Sequence, residues 1–132
     1  MGEPLTNADE VLFRQIHPSC IHDGEPASDR FKPQPNDRGL MSVDRSSLTD
    51  AATSYALYTS TGNQSGAVYG VTVGEFGDEI VECRDDPLDA TEDLPANPAH
   101  ALADYTPHEE KKWKLISKRL TQKAKARGRL HP

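Results

Sequence analysis

The most regular hydrophobic pattern in the chain lies at residues 66–84. Residues 67–73 are small, β-branched or aromatic, contain no proline, and would alternate between the two faces of a strand. Residues 80–83 supply a second apolar run after a break at Gly77 and Asp78. The segment therefore predicts a β-hairpin, with its turn type left open. We expect this ribbon to be the buried scaffold of the fold.

Two further strands and one helix are predicted from the same kind of pattern. Residues 11–16 and 39–44 both alternate in strand fashion, and Pro18 ends the first of them. Residues 47–50 read Ser-Leu-Thr-Asp, which fits a capping box, so we expect a helix from there to residue 58. The expected apolar stripe of this helix is Leu48, Ala51, Ala52 and Tyr55.

The connecting segments are long and rich in turn-forming residues. Residues 19–38 contain Asp-Gly and X-Pro pairs, and Phe31 is the one large apolar residue at their centre, so we expect it to anchor the loop. Residues 85–98 form a second polar loop marked by prolines. Residues 97–105 fit either a short helix beginning at Asn97 or a strand, and the pattern does not decide between them.

A basic helix is predicted near the end of the sequence. Thr106, Pro107 and Glu109 fit an N-cap, a first helical position and an N3 carboxylate, and Gly128 is a natural stop. An apolar seam follows helical spacing and consists of Trp113, Ile116, Leu120 and Ala124. We expect this helix to be an appendage to the domain.

Charge divides the chain into two parts. The net charge is −6, yet residues 108–132 hold nine basic and two acidic residues, a local charge of +7. The remainder holds six basic and nineteen acidic residues, a local charge of −13. This division predicts that the tail docks on its own domain or binds an anionic partner. We expect a flexible leader at 1–10, a single domain at 11–105 and the basic helix at 106–132.

The basic helix carries the residues expected to bind a partner. Side chains of this kind can track a phosphate backbone, although no base-stacking aromatic residues accompany them. We expect a protein partner first and nucleic acid second, and no contact with a membrane. The expected contact residues are Lys111, Lys112, Trp113, Lys114, Lys118, Arg119, Lys123 and Arg127.

Metal-binding and thiol chemistry have weak support. His17, Cys20 and His22 are the densest group of metal-capable side chains, and Cys83 or His100 would be needed to complete a site. The spacing matches no standard zinc knuckle, so we expect no metal and no cofactor. Cys20 as a nucleophile beside a histidine has no further support. Two cysteines suit reduced thiols in a cytoplasm.

The order of elements suggests an enzyme alternative. A strand bearing Arg14, a strand bearing Ser42, a helix and a valine-rich strand, over residues 11–105, distantly resemble the ADP-ribosyltransferase-like fold. The resemblance implies that Arg14 grips a phosphate or ribose and that Ser42 lines a nicotinamide pocket. No glutamate stands where that family has its catalytic one, and His100 is the nearest polar candidate. A relative that transfers RNA phosphate, using Arg14, Arg45 and His100, would tolerate this difference.

A second resemblance concerns short segments. Residues 12–19, 40–44 and 97–101 look like those of a family of small uncharacterised bacterial proteins, which implies a bacterial cytoplasmic source.

The sequence predicts one α+β domain with a small mixed or antiparallel sheet, one packed helix and a long basic C-terminal helix. The leading hypothesis is a non-catalytic interaction protein of a bacterial defence or toxin–antitoxin system. The alternative is an enzyme with Arg14, Ser42 and His100 as its catalytic residues.

Overall fold

The computed structural model describes residues 2–132 and shows an antiparallel sheet flanked by helices. The order of the five sheet strands is β5-β1-β4-β7-β6, and every pairing is antiparallel. The strands are β1 Val11–Ile16, β2 Ile21–His22, β3 Glu25–Pro26, β4 Leu40–Arg45, β5 Ala67–Thr72, β6 Glu82–Asp85 and β7 His100–Asp104. The helices are α1 Ala51–Ser60, α2 Val73–Asp78 and α3 Trp113–Arg127, and β2 and β3 form a separate small hairpin. The α+β fold class is confirmed.

The two faces of the sheet differ in polarity. One face carries Leu12 and Ile16 from β1 together with Met41 and Val43 from β4, and these side chains are almost fully buried. They join the core cluster with the apolar residues of α3. Successive side chains on a strand point to opposite faces, so Gln15 lies on the other face, where it contacts α1. The strands predicted at residues 11–16 and 39–44 are confirmed.

The hairpin predicted at residues 66–84 is wrong. The β5 strand ends at Thr72, whose hydroxyl accepts a hydrogen bond from the amide of Glu75, while the Glu75 carboxylate accepts one from the amide of Thr72. This reciprocal capping begins α2, so the chain leaves the sheet. The strand β6 then pairs at the opposite edge of the sheet. The expected burial of the first strand is confirmed for residues 67–71.

The α1 helix begins later than predicted and docks through polar contacts. Its N-cap is Asp50, which accepts from the amide of Thr53, whereas Ser47 is bonded to Glu10. The predicted apolar stripe is wrong, because Leu48 is 53% exposed and the one buried side chain of the helix is Ser54. The Ser54 hydroxyl donates to Asp44 on β4 at 2.6 Å.

The long basic helix packs on the domain instead of standing apart from it. Ile116, Leu120 and Ala124 of α3 are buried in the core cluster, as their spacing predicts. The predicted start is wrong: Thr106 is held by the Asp104 carboxylate, a single turn of 3₁₀ helix at Glu110–Lys112 follows, and α3 begins at Trp113. Because its apolar face completes the core, α3 is part of the domain.

Both edges of the five-stranded sheet are covered. Residues 2–5 run along β6 with backbone hydrogen bonds to Cys83 and Asp85, so this part of the expected flexible leader is ordered against the sheet. At the other edge, Val68 of β5 exchanges two backbone hydrogen bonds with Leu130 and His131. Covered edges leave few free amides and carbonyls for pairing with another chain.

Two open questions from the sequence have clear answers. The ambiguous segment at residues 97–105 contains the strand β7, so the strand alternative holds. Phe31 is fully buried, and its amide donates to Ser117 of α3 at 2.9 Å, so it does anchor the loop. These contacts hold the loop against α3.

Candidate functional site

A cavity of about 380 Å³ opens between the sheet, α1 and the loop that precedes β7. It lies where β1 and β4 separate, because these strands pair only at Leu12–Arg45 and Phe13–Asp44. Its polar lining includes Arg14, Gln15, Ser42, Asp44, Asn97 and His100. Its apolar lining includes Phe13, Leu57, Tyr58, Leu88, Leu94 and Pro95.

A chain of hydrogen bonds links a carboxylate, an imidazole and a hydroxyl at this cavity. Nε2 of His100 lies 3.0 Å from Oγ of Ser42, and Nδ1 of His100 lies 3.0 Å from Oδ2 of Asp86. The sheet register sets this geometry. Asp44 of β4 is opposite His100 of β7, so Ser42 is a diagonal neighbour on the same face, and Asp86 follows β6 directly beside His100.

The partners of His100 decide where its proton lies. Nδ1 of His100 faces two groups that only accept hydrogen bonds, the backbone carbonyl of Asp86 at 2.9 Å and its carboxylate at 3.0 Å, so Nδ1 must be the donor. In a neutral ring Nε2 is then the acceptor, and the hydroxyl of Ser42 donates to it. The His100 side chain is 11% exposed, so its ring is held in place, while Ser42 is open to the cavity. This is the arrangement of an orienting acid, a base and a nucleophile.

Arg14 reaches the same cavity from between the strands. Its Nη1 donates to the backbone carbonyl of Ser42 at 3.1 Å, and its Nε donates to the carbonyl of Arg30 at 3.2 Å. Burial lowers the pKa of the Arg14 guanidinium, and the nearby charge of Asp37 acts in the opposite direction. Among residues 2–132 the guanidinium forms no ion pair and Nη2 makes no hydrogen bond, which leaves donors for an anion.

A second polar network supports the wall of the cavity beside His100. The Asp44 carboxylate accepts from Asn97 Nδ2 at 2.9 Å and from Ser54 at 2.6 Å. Gln15 donates to the Ser54 hydroxyl and accepts from Ser65. Both Asp44 oxygens are therefore engaged, and the network joins the loop before β7, the sheet and α1.

The structure brings together all three candidate residues of the enzyme alternative. Arg14, Ser42 and His100 line one cavity, whereas Arg45 is engaged elsewhere by Glu10 and Asp85. Sequence reasoning missed Asp86, which was taken only as part of the polar loop at residues 85–98. Asp86 is brought to His100 by the pairing of β6 with β7. This pairing cannot be read from a local sequence pattern.

The residues expected to bind a partner on α3 divide into three groups. Arg119 pairs with Glu79 at 2.7 Å and Arg127 with Glu75 at 2.9 Å, so these cations hold α3 to the domain. Trp113 is half-buried and donates to the Tyr105 carbonyl, and Lys111 pairs with the neighbouring Glu109. The exposed side chains that form no ion pair within residues 2–132 are Lys112, Lys114, Lys118 and Lys123.

The cysteines and histidines of the first loop do not belong to this cavity, apart from His17 at its margin. His17 Nδ1 bonds to Ser19, and Cys20 has the Ser19 hydroxyl as its neighbour at 3.7 Å. Burial raises the pKa of the Cys83 thiol to about 12, so this cysteine is an inert core residue. Within residues 2–132 no three metal-capable side chains cluster.

Comparisons with known proteins give no indication of function, so function is inferred from the geometry of the cavity. No protein-family model, curated protein or solved structure matches this chain. The resemblance to ADP-ribosyltransferase-like proteins therefore stays a prediction. Among residues 2–132 no helix is both long and apolar enough to cross a bilayer.

Proposed function

We propose that this protein is an enzyme that transfers or hydrolyses an acyl or phosphoryl group of an anionic substrate. The observation that carries the proposal is the Asp86–His100–Ser42 chain, which opens into the cavity that Arg14 also lines. Arg14 would hold the anionic group of the substrate next to the serine. His100 would act as the base, and Asp86 would fix its orientation.

The chemistry follows from the direction of the hydrogen bonds. Oγ of Ser42 attacks the carbon or phosphorus, and its proton passes to Nε2 of His100. The bond to the leaving group breaks, and the leaving group departs with the bonding electrons and takes the proton from His100. Water then attacks the Ser42 ester with the same base, which frees the serine. Asp86 keeps Nδ1 protonated throughout, so that Nε2 is available as the acceptor.

Two narrower reactions implied by the resemblance to ADP-ribosyltransferase-like proteins remain proposals for the same residues. RNA phosphate transfer would use Arg14 and His100, although Arg45 is bound to Glu10 and Asp85 and is not part of the cavity. ADP-ribosyl transfer from a nicotinamide dinucleotide has less support, because no glutamate among residues 2–132 lines the cavity. Turnover assays with a phosphorylated RNA and with nicotinamide dinucleotide separate these reactions. A cytoplasmic, bacterial setting belongs to the same set of proposals.

Covalent labelling of the serine tests the proposal without a known substrate. An activated serine reacts with a fluorophosphonate, and we expect mass spectrometry to place the label on Ser42. His100→Ala should slow labelling by roughly 10²-fold or more, because proton transfer by the base is lost. Ser60→Ala is the matched control, since the Ser60 hydroxyl donates only to the Leu57 carbonyl. Equal labelling of Ser42→Ala and Ser60→Ala would refute the proposal.

A second candidate function is binding of nucleic acid or of a protein partner by α3, as for an accessory, immunity or antitoxin-like protein. The observation that favours it is a group of exposed lysines that form no ion pair within residues 2–132: Lys112, which directly precedes α3, and Lys114, Lys118 and Lys123 on α3. Deleting residues 108–132 would not test it, because Ile116 and Leu120 are core residues and the domain would lose stability.

Neutral substitutions on the exposed face of α3 give a clean test. The triple variant Lys114→Gln, Lys118→Gln and Lys123→Gln should bind a short RNA at least about tenfold more weakly and with a smaller salt slope. A charge-matched control adds three carboxylates on α1 with Ala52→Glu, Thr53→Glu and Ala56→Glu, and all three positions are exposed. If both variants lose affinity equally, net charge alone explains the binding, and the α3 surface is excluded as a site.

A further inference from the structure

Exposed apolar side chains gather at the candidate site. Six large hydrophobic residues are exposed among residues 2–132, and three of them, Tyr58, Leu88 and Leu94, line the cavity. Their exposed fractions are 37%, 45% and 53%. Single exposed apolar residues are ordinary on a protein surface, but a group that lines one cavity indicates a binding surface.

The backbone that carries the two leucines is held in place by hydrogen bonds. Leu88 and Asn97 exchange two backbone hydrogen bonds of 3.0 and 2.9 Å, which close the loop that carries Leu94. Inside that loop the Thr91 amide donates to the Leu94 carbonyl, and the Leu94 amide donates to the Thr91 hydroxyl. Asn97 is also bonded to Asp44 on the sheet. The loop therefore presents its leucines at the cavity instead of folding them into the core.

The cavity combines this apolar surface with one arginine that forms no ion pair within residues 2–132. Arg14 supplies the guanidinium, whereas Arg30, the other arginine of the lining, is paired with Asp29. The carboxylate in the lining, Asp44, has both oxygens engaged by Asn97 and Ser54. A ligand that satisfies both surfaces needs a flat apolar part and an anionic group.

We infer that the cavity takes an aromatic phosphate, with its ring on Tyr58, Leu88 and Leu94 and its phosphate at Arg14. The inference rests on the proposed function for the position of the reacting group, and it adds the chemical class of the substrate. Tyr58 offers an aromatic face, and the leucines offer flat apolar contacts. The guanidinium binds phosphate oxygens in a forked geometry. An aromatic ring alone would leave Arg14 without an anionic partner, and a phosphate alone would leave the apolar side chains uncovered.

Binding of simple probes tests this inference in the Ser42→Ala variant, which cannot turn the probe over. We expect 2-naphthyl phosphate to bind at least tenfold more tightly than either 2-naphthol or inorganic phosphate in calorimetry. Leu94→Asn, which adds no charge, should weaken binding of 2-naphthyl phosphate at least tenfold and leave binding of inorganic phosphate unchanged. The control Leu115→Asn changes a leucine of similar exposure on α3, 52% against 53%, and should have no effect. Tyr58→Asn is a second variant with the same expectation as Leu94→Asn.

The outcomes separate this inference from the proposed function. The inference is overturned if 2-naphthol binds as tightly as its phosphate, if Leu94→Asn and Leu115→Asn behave alike, or if no probe binds. If Ser42 is labelled by fluorophosphonate but 2-naphthyl phosphate fails these criteria, the serine chemistry stands and the substrate class is wrong. If 2-naphthyl phosphate binds as expected but Ser42 is not labelled, the pocket assignment stands and the enzymatic role falls.

Discussion

Glu10 shows how a single residue organises one end of the sheet. Its side chain is 3% exposed, and its carboxylate accepts hydrogen bonds from Nε and Nη2 of Arg45 and from the amide and hydroxyl of Ser47. Burial alone would raise the pKa of the Glu10 carboxyl, but the hydrogen bonds from Arg45 and Ser47 outweigh it and lower the pKa. Because the guanidinium of Arg45 is bound to Glu10, Arg45 does not reach the cavity.

The lowered pKa predicts a loss of stability in acid. A carboxyl with a lower pKa in the folded state stabilises the protein above its unfolded pKa of about 4.3, and that stabilisation is lost as the pH falls through the folded value. Glu10→Gln should lower the free energy of unfolding by about 3 kcal/mol at pH 7, with a smaller difference from wild type in acid. Urea titrations at several pH values measure this effect.

A matched control tests whether burial is the cause. Glu82→Gln removes an exposed carboxylate that pairs with Arg84, and we expect a change of less than about 1 kcal/mol. If the two variants lose the same stability, or if the deficit of Glu10→Gln grows as the pH falls, this explanation of the Glu10 contact is wrong.

At the scale of elements, α3 is held by its apolar seam and by a few ion pairs. Leu120 is 1% exposed in the core, while Leu115 on the same helix is 52% exposed. Arg119, Lys125 and Arg127 pair with Glu79, Glu25 and Glu75 of the domain. Exposed ion pairs contribute little individually, so the apolar contacts must supply most of the docking energy.

Alanine substitutions on α3 test whether the apolar contacts supply most of the docking energy. Leu120→Ala should lower the free energy of unfolding by about 3 kcal/mol, because it leaves a cavity in the core. Leu115→Ala should change it by less than about 0.5 kcal/mol. Equal effects in thermal or urea unfolding would mean that α3 is not packed by its seam.

The elements also show what a sequence pattern can predict. The α3 seam was predicted correctly, because an apolar stripe on a helix must face a core. The hairpin at residues 66–84 was not, since Thr72 and Glu75 form a capping box inside a run of strand-forming residues. The α1 stripe failed because that helix docks through the Ser54 hydroxyl. A helix that packs through a polar side chain shows no apolar stripe in its sequence.

At the scale of the whole molecule, the order of strands in the sheet creates the site. Ser42, His100 and Asp86 come from three distant parts of the chain and meet because β4, β7 and β6 are neighbours. Arg14, Ser42 and His100 were singled out through the resemblance to the ADP-ribosyltransferase-like fold, and the structure places all three at one cavity. The resemblance could not reveal Asp86, because the partner of β6 is set by tertiary packing and not by local sequence.

The covered edges of the sheet predict how the whole molecule responds to truncation. Residues 130 and 131 satisfy Val68 at the edge of β5. Deleting residues 129–132 should leave that edge open and increase self-association, which sedimentation at several protein concentrations measures. A substitution with the backbone intact, Leu130→Ala, is the control. Self-association in both variants alike would point to the lost side chain and not to the open edge.

The most direct test of the central claim is the position of the proton on His100. In NMR spectra of protein with ¹⁵N-labelled histidine, assigned by comparison with His100→Gln, we expect neutral His100 to carry its proton on Nδ1 and to have an unprotonated Nε2. Asp86→Asn should disturb Nδ1, and Ser42→Ala should disturb Nε2. A proton found on Nε2, or a His100 spectrum that neither variant changes, would contradict the Asp86–His100–Ser42 chain.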